Sequence, residues 1–196
     1  MKKIISLTLC CVMVLALAAC GSGNSSGKGS SMNKPKVEIS VKNFGKMQFE
    51  LDPTNAPETV DNFIALVERG FYTNLTFHRI ISGFMIQGGD PKGNGTGGSE
   101  HRIVGEFESN GYDNKIEHRR GVISMARSSD PNSASSQFFI CHEDSTFLDG
   151  HYAGFGYILK GIEVVDKICE EVRVLDDNGT VNKVEQPVIE YIKVIK

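Results

Sequence analysis

Phe77-His78-Arg79-Ile80-Ile81-Ser82-Gly83-Phe84-Met85-Ile86-Gln87-Gly88-Gly89-Asp90 reads as two short strands separated by a turn at Ser82-Gly83. With strands at 76–81 and 84–88, Arg79 and Ile81 share a face, while Met85 and Gln87 share another, since successive side chains alternate across a strand. Taken singly, these residues have ordinary explanations. An Arg so placed commonly serves as a structural ion-pair residue at a barrel edge, and Phe84 and Met85 commonly pack a core. The combination is less ordinary: a guanidinium, two large apolar side chains and a primary amide all lie between Arg79 and Gln87.

Outward from this stretch the chain is dominated by short strands. Val37, Ile39 and Val41 alternate with polar residues, as do Met47, Phe49 and Leu51, and Asn43 to Gly45 between them is turn material. That is a β-hairpin pattern. Further strands are expected at 122–126, 137–141, 155–159 and 188–194. A helix is expected where Val60, Phe63, Ile64 and Val67 recur on one face, with Pro57 in its first turn and Gly70 just past its end. A second, short helix is expected over 162–169. Eight strands with turns between them suggest a mainly β fold, a closed antiparallel barrel. Two stretches rich in Gly, Ser and Asn, 90–120 and 127–136, are long enough to be functional loops.

The 196 residues are 40% hydrophobic and 23% charged, which suits one globular domain with attachments. From Val37 onward, 16 basic side chains face 24 acidic ones, a net of −8. An acidic domain repels a phosphate backbone, so nucleic acid is not an expected partner.

The amino terminus reads as an address. Lys2 and Lys3 precede an apolar run from Ile4 to Ala19, broken only by Ser6 and Thr8. The run is short for a bilayer-spanning helix, which needs ~20 residues, and fits a signal-peptide core. Leu17-Ala18-Ala19-Cys20 resembles the lipobox of bacterial lipoproteins, which implies cleavage before Cys20 and lipidation of its thiol. An ordinary secretory signal with a fortuitous cysteine is the alternative. Gly21 to Lys36, made of Gly, Ser, Asn and Lys with few apolar residues, reads as a flexible tether. The expected organisation is a signal peptide over 1–19, a lipid-anchored linker over 20–36 and a folded domain over 37–196. The domain would be held outside the cytoplasmic membrane, or on an outer membrane where the organism has one. Cys10 and Cys11 would leave with the signal. Cys141 and Cys169 are too few for a disulfide scaffold and read as buried free thiols, with a single bridge between them as the open alternative.

Generic chemistry finds little support. Gly93-Asn94-Gly95-Thr96-Gly97-Gly98 matches GxGxxG, but 99–107 shows no helical periodicity to complete a dinucleotide site. The five histidines show no metal-ligand spacing, and no nucleophile elbow is present.

Taken as a block, 77–90 closely resembles the signature of the cyclophilins, the peptidyl-prolyl cis/trans isomerases. Asn94 to Gly98 is similar to their glycine-rich loop. Ser124-Met125-Ala126, Ser135-Ser136-Gln137-Phe138-Phe139-Ile140, Phe147-Leu148-Asp149-Gly150 and Phe155-Gly156 follow in the family's order. The resemblance spans nearly all of 37–195. It implies an eight-stranded barrel capped by two α-helices, with a substrate groove on its outer face and no cofactor. Arg79, Phe84 and Gln87 match the catalytic set, and Phe84, Met85, Phe139 and Leu148 match the pocket for the proline ring. Gly95, Ala126, Arg127 and Gln137 match the adjoining groove, and His78 matches a positioning residue. Phe147 stands where many eukaryotic members carry Trp, Tyr152 where they carry His, and Arg127 where many members carry Asn. The Asp130-Pro131-Asn132 loop is about one residue longer than theirs.

The implied reaction needs no base, nucleophile or metal. Resonance makes the X-Pro bond slow to rotate, and twisting it frees the nitrogen lone pair to accept a hydrogen bond. A guanidinium aimed at that nitrogen binds the twisted state better than the planar one. Expected partners are proline-containing unfolded or secreted polypeptides, the membrane through its lipid anchor, and cyclosporin, bound more weakly because Phe147 lacks an indole N–H. Two other readings stay open at this point: a module that holds proline segments with little turnover, and a barrel that binds a small ligand inside. Against the second, Phe49, Phe138 and Ile140 are expected to fill the interior.

Overall fold

The expected alternation becomes eight strands and two helices in a computed structural model that describes residues 34–196. They are β1 (Lys36–Val41), β2 (Gly45–Leu51), α1 (Pro57–Glu68), β3 (Phe77–Ile81), β4 (Met85–Gly88), β5 (Val122–Met125), β6 (Phe138–Cys141), β7 (Gly154–Lys160), α2 (Ile162–Glu171) and β8 (Ile189–Ile195). The expected signal peptide, Cys20 and nearly all of the expected tether lie outside the described residues. The strands run antiparallel in the order β3-β4-β6-β5-β7-β2-β1-β8. The sheet curls until its two edges meet. Thr76 bridges Val188, Phe77 N–H donates to the Pro187 carbonyl at 3.0 Å, and Ile189 N–H donates to that of Leu75 at 2.8 Å. Pairing the edges there leaves fewer open backbone groups for another chain to add to.

The sheet begins just before the expected domain start at Val37. Lys36 already pairs with Glu50 and Ile195, Pro35 accepts a hydrogen bond from Leu51 N–H, and the Lys34 ammonium lies 2.9 Å from Asp52. Backbone pairing continues past the last apolar side chain, which is why the hydrophobic pattern places the boundary late.

Inside the curl, the alternating residues of β1 and β2 bury completely, and Phe49, Phe138 and Ile140 fill the interior with no exposed surface. The reading of the barrel as a container for a small ligand is thereby set aside, since side chains occupy its centre. Helix α1 closes one side with Val60, Phe63, Leu66 and Val67. The Phe63 ring meets Phe138 edge-on at 5.6 Å and lies 5.1 Å from both Tyr72 and Phe155. Helix α2 adds Val164, Val165 and Ile168 to the same core. Each fully buried ring contributes about 1.5–3 kcal/mol over its exposed state. Cys141 and Cys169 are free thiols, and burial pushes both up to about 12.

The start of α1 is held from far away in sequence. Ala56 at its N-cap has no side-chain oxygen to offer the first free N–H groups. Glu106, 2% exposed, accepts from Glu58 N–H at 3.0 Å, Thr59 N–H at 2.8 Å and the Thr59 hydroxyl at 2.6 Å. A carboxylate there satisfies orphan donors and opposes the positive end of the helix dipole. This contact also fastens the long 90–120 loop to the barrel.

Candidate functional site

The hairpin of β3 and β4 is irregular at one residue. Phe77 faces Gly88, but the next pair is Arg79 with Gln87, so His78 is an extra residue in β3. Such a bulge re-aims the side chains beyond it. Phe77 and Ile80 therefore both point into the barrel, and Arg79 and Ile81 point out. Arg79 stands opposite Gln87, and Ile81 opposite Met85. The two pairs expected on separate faces thus share one face, because directly opposed residues of antiparallel strands project to the same side.

That outer face carries a second, smaller apolar cluster. Met85, Phe139, Cys141, Leu148, Val122 and Ile116 bury together, with Phe84, Ala126 and Tyr152 packed at their margin. The Phe139 ring is met edge-on by Tyr152 at 5.9 Å. Behind it, the His118 ring stacks at 6.0 Å and 17°. His118 is wholly buried, with Nδ1 2.8 Å from Asp149 and Nε2 2.9 Å from the Ser124 hydroxyl. Burial lowers its pKa despite the neighbouring Asp149 carboxylate. Phe147, 70% exposed, stands at the rim with its ring 5.4 Å from that of Phe84.

Beside the apolar cluster runs a line of polar groups. The Arg79 guanidinium donates through Nε to the Asn178 carbonyl at 2.8 Å and through Nη1 to Gln87 Oε1 at 3.2 Å. Gln87 Nε2 donates to Gln137 Oε1 at 2.9 Å, and Gln137 Nε2 donates to the carbonyls of Gly95 and Gly97 at 3.1 and 2.7 Å. A guanidinium can only donate, so it sets the orientation of each amide in turn. The far end is anchored by Asp90, 1% exposed, which accepts from the N–H groups of Lys92, Asn94 and Gly95 at 2.8, 3.0 and 2.6 Å. These bonds hold the Asp90 carboxyl below its ordinary range. A Cβ on Gly97 would collide with that carboxylate, so the loop can only close over Asp90 with glycine there. Among the described residues Arg79 forms no ion pair with a carboxylate, which removes the structural ion-pair explanation. Its Nη2 carries no protein partner among them.

Together these residues line a groove of about 950 Å³, which shares Gln87, Gly95, Ala126 and Arg127 with a smaller cavity of about 320 Å³. Every expected site residue of the folded domain borders one or the other: His78, Arg79, Phe84, Met85, Gln87, Gly95, Ala126, Arg127, Phe139, Phe147, Leu148 and Tyr152 the larger, and Gln137 the smaller. His78 is 5% exposed with both ring nitrogens unpartnered, and burial lowers its pKa. The Arg127 guanidinium lies 4.6 Å from the centre of the Tyr152 ring and donates to the His151 carbonyl at 2.8 Å, stiffening that wall.

The model of the family described as cyclophilin type peptidyl-prolyl cis-trans isomerase/CLD matches residues 36–194. The chain is a cyclophilin. It is 47% identical over 128 residues to a peptidyl-prolyl cis-trans isomerase of Helicobacter pylori, covering 64% of this chain and 76% of that one. It is 43% identical over 134 residues to peptidyl-prolyl cis-trans isomerase B of Bacillus subtilis, covering 66% and 90%. Among solved structures it resembles a cyclophilin type peptidyl-prolyl cis-trans isomerase of Cryptosporidium parvum, determined in the presence of the dipeptide Ala-Pro. That match has a TM-score of 0.72 and 34% identity, over 82% of this chain and 99% of the other. This cyclophilin is accordingly a peptidyl-prolyl cis-trans isomerase.

Two parts of the cyclophilin groove escape the sequence. The segment between α2 and β8 supplies Leu175, Asn178, Thr180, Val181, Asn182, Lys183 and Gln186 to its wall. Asp177-Asn178-Gly179 is turn material and could have flagged a loop there, but nothing local says that it lies against β3. The Ile80 N–H donates to Gly179 and the Val181 N–H to His78, which is how the segment reaches Arg79. The buried His118 bridge is the other omission, since a His among loop residues carries no periodic signal.

Proposed function

We propose that this isomerase acts on proline-containing segments of secreted or surface proteins, tethered outside the cytoplasmic membrane by a lipid on Cys20. Arg79 is the residue that drives the reaction, and the observation that carries this reading is its setting. The guanidinium is fixed at Nε and Nη1 by neutral acceptors, unpaired with any carboxylate among the described residues, and placed beside an apolar cluster. It lines a groove of about 950 Å³.

The chemistry follows from that placement. A proline ring buried against Met85, Phe139 and Leu148 is held by apolar contact worth at most about 3 kcal/mol. Gln87 and Gln137 present amides to the substrate backbone. As the X-Pro bond twists, its nitrogen becomes an acceptor and meets the Arg79 guanidinium. That bond exists in the twisted state and not in the planar one, so it lowers the barrier and does not merely tighten binding. His78 positions the turn into Arg79, and no proton moves. The ordered run of lysines, apolar core, small residues and Cys20 supports the location, and the Gly/Ser-rich stretch after it supports a tether.

Exchange spectroscopy on an Ala-Pro peptide tests the mechanism. Arg79→Ala is expected to lower turnover about a hundredfold to a thousandfold with little change in melting temperature. Arg79→Lys restores charge without the planar fork and recovers little. An early-melting Arg79→Ala protein that still turns over at the wild-type rate would overturn the assignment. For the anchor, Cys20→Ser should leave an unprocessed precursor or release the domain to the medium. A processed protein of unchanged mass in the membrane fraction would rule the lipid out.

A further inference from the structure

The charge of the groove is opposite to that of the domain around it. From Val37 onward the chain carries a net of −8. Yet Arg79, Lys92, Arg102, Arg127 and Lys183 line the two cavities, and among the described residues no Asp or Glu does. None of these five cations lies within ion-pair distance of a described carboxylate. Elsewhere Lys34, Arg119, Arg120 and Lys193 each sit against an Asp or Glu, while Lys36, Lys42, Arg69, Lys160, Arg173 and Lys196, which line neither cavity, have no such pair among the described residues. Two carboxylates in the loops bordering the groove are held by backbone N–H groups, and the charge of one, Asp176, still reaches Arg79. Asp90 is buried beneath the glycine-rich loop on three backbone N–H groups, and Asp176 accepts from Thr180 N–H at 3.1 Å.

The cations flank the apolar cluster. Lys92 and Lys183 belong to the lobe beyond Arg79, where Gln186 ties the two loops by donating to the Gly93 carbonyl at 2.9 Å. Arg102 and Arg127 border the adjoining cavity past Gln87 and Gln137. An extended peptide reaches about 3.3 Å further per residue, so side chains one or two positions from a seated proline fall among them.

We propose that the groove selects X-Pro segments flanked by Asp or Glu. The inference rests on the isomerase reading and adds the class of substrate. A concave setting concentrates the field of unpaired cations and raises the local concentration of anionic chains, while the acidic remainder repels them elsewhere. A convex anionic surface such as a bilayer could not approach side chains set inside a groove as closely as an extended chain can.

The experiment uses the full chain and three blocked peptides, X-Ala-Pro-Ala-X with X as Glu, Gln or Lys. At low salt kcat/KM should fall in the order Glu, Gln, Lys, with about tenfold between the ends, the sum of a few exposed charge pairs. At about 1 M salt, where the screening length is about 3 Å, the order should nearly vanish. Lys92→Gln with Lys183→Gln should cut the Glu-to-Lys ratio about threefold. Equal rates for all three peptides at low salt, or an order that ignores salt, would sink the charge selection while turnover of the Gln peptide upholds the isomerase. Failure of all three peptides to turn over would sink the isomerase reading itself. Inhibition of Gln-peptide turnover by phosphatidylglycerol vesicles, without a Glu advantage, would reassign the cations to a membrane surface.

Discussion

Phe138 and Phe139 are neighbours in β6 with opposite fates. Phe138 points inward and is enclosed by Phe63, Tyr72 and Phe77 at 5.6 to 6.0 Å, wholly within the barrel core. Phe139 points outward, between Tyr152 and His118, into the smaller cluster that floors the groove. The same division runs through β4, where Ile86 joins the core and Met85 and Gln87 the groove, and through β5, where Ile123 and Met125 oppose Val122 and Ser124. One set of strands thus packs the core with one face and lines the groove with the other. The reactive groups gain their rigidity from a sheet whose strength lies on its far side, so they can vary without unfolding the protein.

The sharpest way to break this division is a pair of truncations. Phe138→Ala should destabilise by about 3–5 kcal/mol, while kcat per folded molecule changes little. Phe139 is 5% exposed within the smaller cluster, so Phe139→Ala should cost less stability than Phe138→Ala, since the space it leaves opens onto the groove, and should also raise KM. Denaturant titration and peptide kinetics on both variants check this. A Phe139→Ala protein as unstable as Phe138→Ala would show that the two faces are one core.

A smaller effect separates the faces by pH. His118 and His78, on the groove side, are held below the ordinary 6.5 by burial. Below that value the unfolded chain binds protons that the folded chain refuses, so stability falls as pH drops from 6.5 toward the folded values. On the barrel's other strands, Glu38 is brought down to about 2, chiefly by its hydrogen bonds with Gln48, Tyr191 and Lys193. Its contribution is present above 4.5 and is lost only as pH falls toward 2. Melting temperatures between pH 7.5 and 5 should therefore decline, and His118→Gln should flatten the decline. An unchanged slope in that variant would remove His118 as a source.

The smallest expected change is at the rim. Phe147→Trp adds a donor to an exposed ring and should tighten cyclosporin binding about threefold to tenfold, the worth of one hydrogen bond. Equal affinity in both proteins would remove Phe147 as a determinant of cyclosporin binding.

Much of this division is legible in the chain. Period-two alternation places Ile39 and Phe49 inside without any knowledge of their neighbours, because a strand buried on one face must alternate, whereas β6 is apolar throughout and only the sheet shows that Phe138 and Ile140 face in. The 3.6-residue period of Val60, Phe63, Ile64 and Val67 places α1 in the same way. The strands keep to these expectations within a residue or two, and β1 starts one residue early, at Lys36, where pairing outruns apolar side chains.

What the sequence by itself determined is therefore the set of elements, much of the core and, through the ordered blocks around Arg79, membership of the cyclophilin family. Tertiary structure alone decided the aim of the site residues. The bulge at His78 depends on how β3 meets β4, and it turns Arg79 toward Gln87 instead of away. The carbonyl that holds Arg79 comes from Asn178, 99 residues distant, and the cap on α1 comes from Glu106, which Ala56 and Pro57 do not announce. Such contacts have no period and no local signature. They arise where backbone polar groups, once buried, must find partners wherever the folded chain brings them.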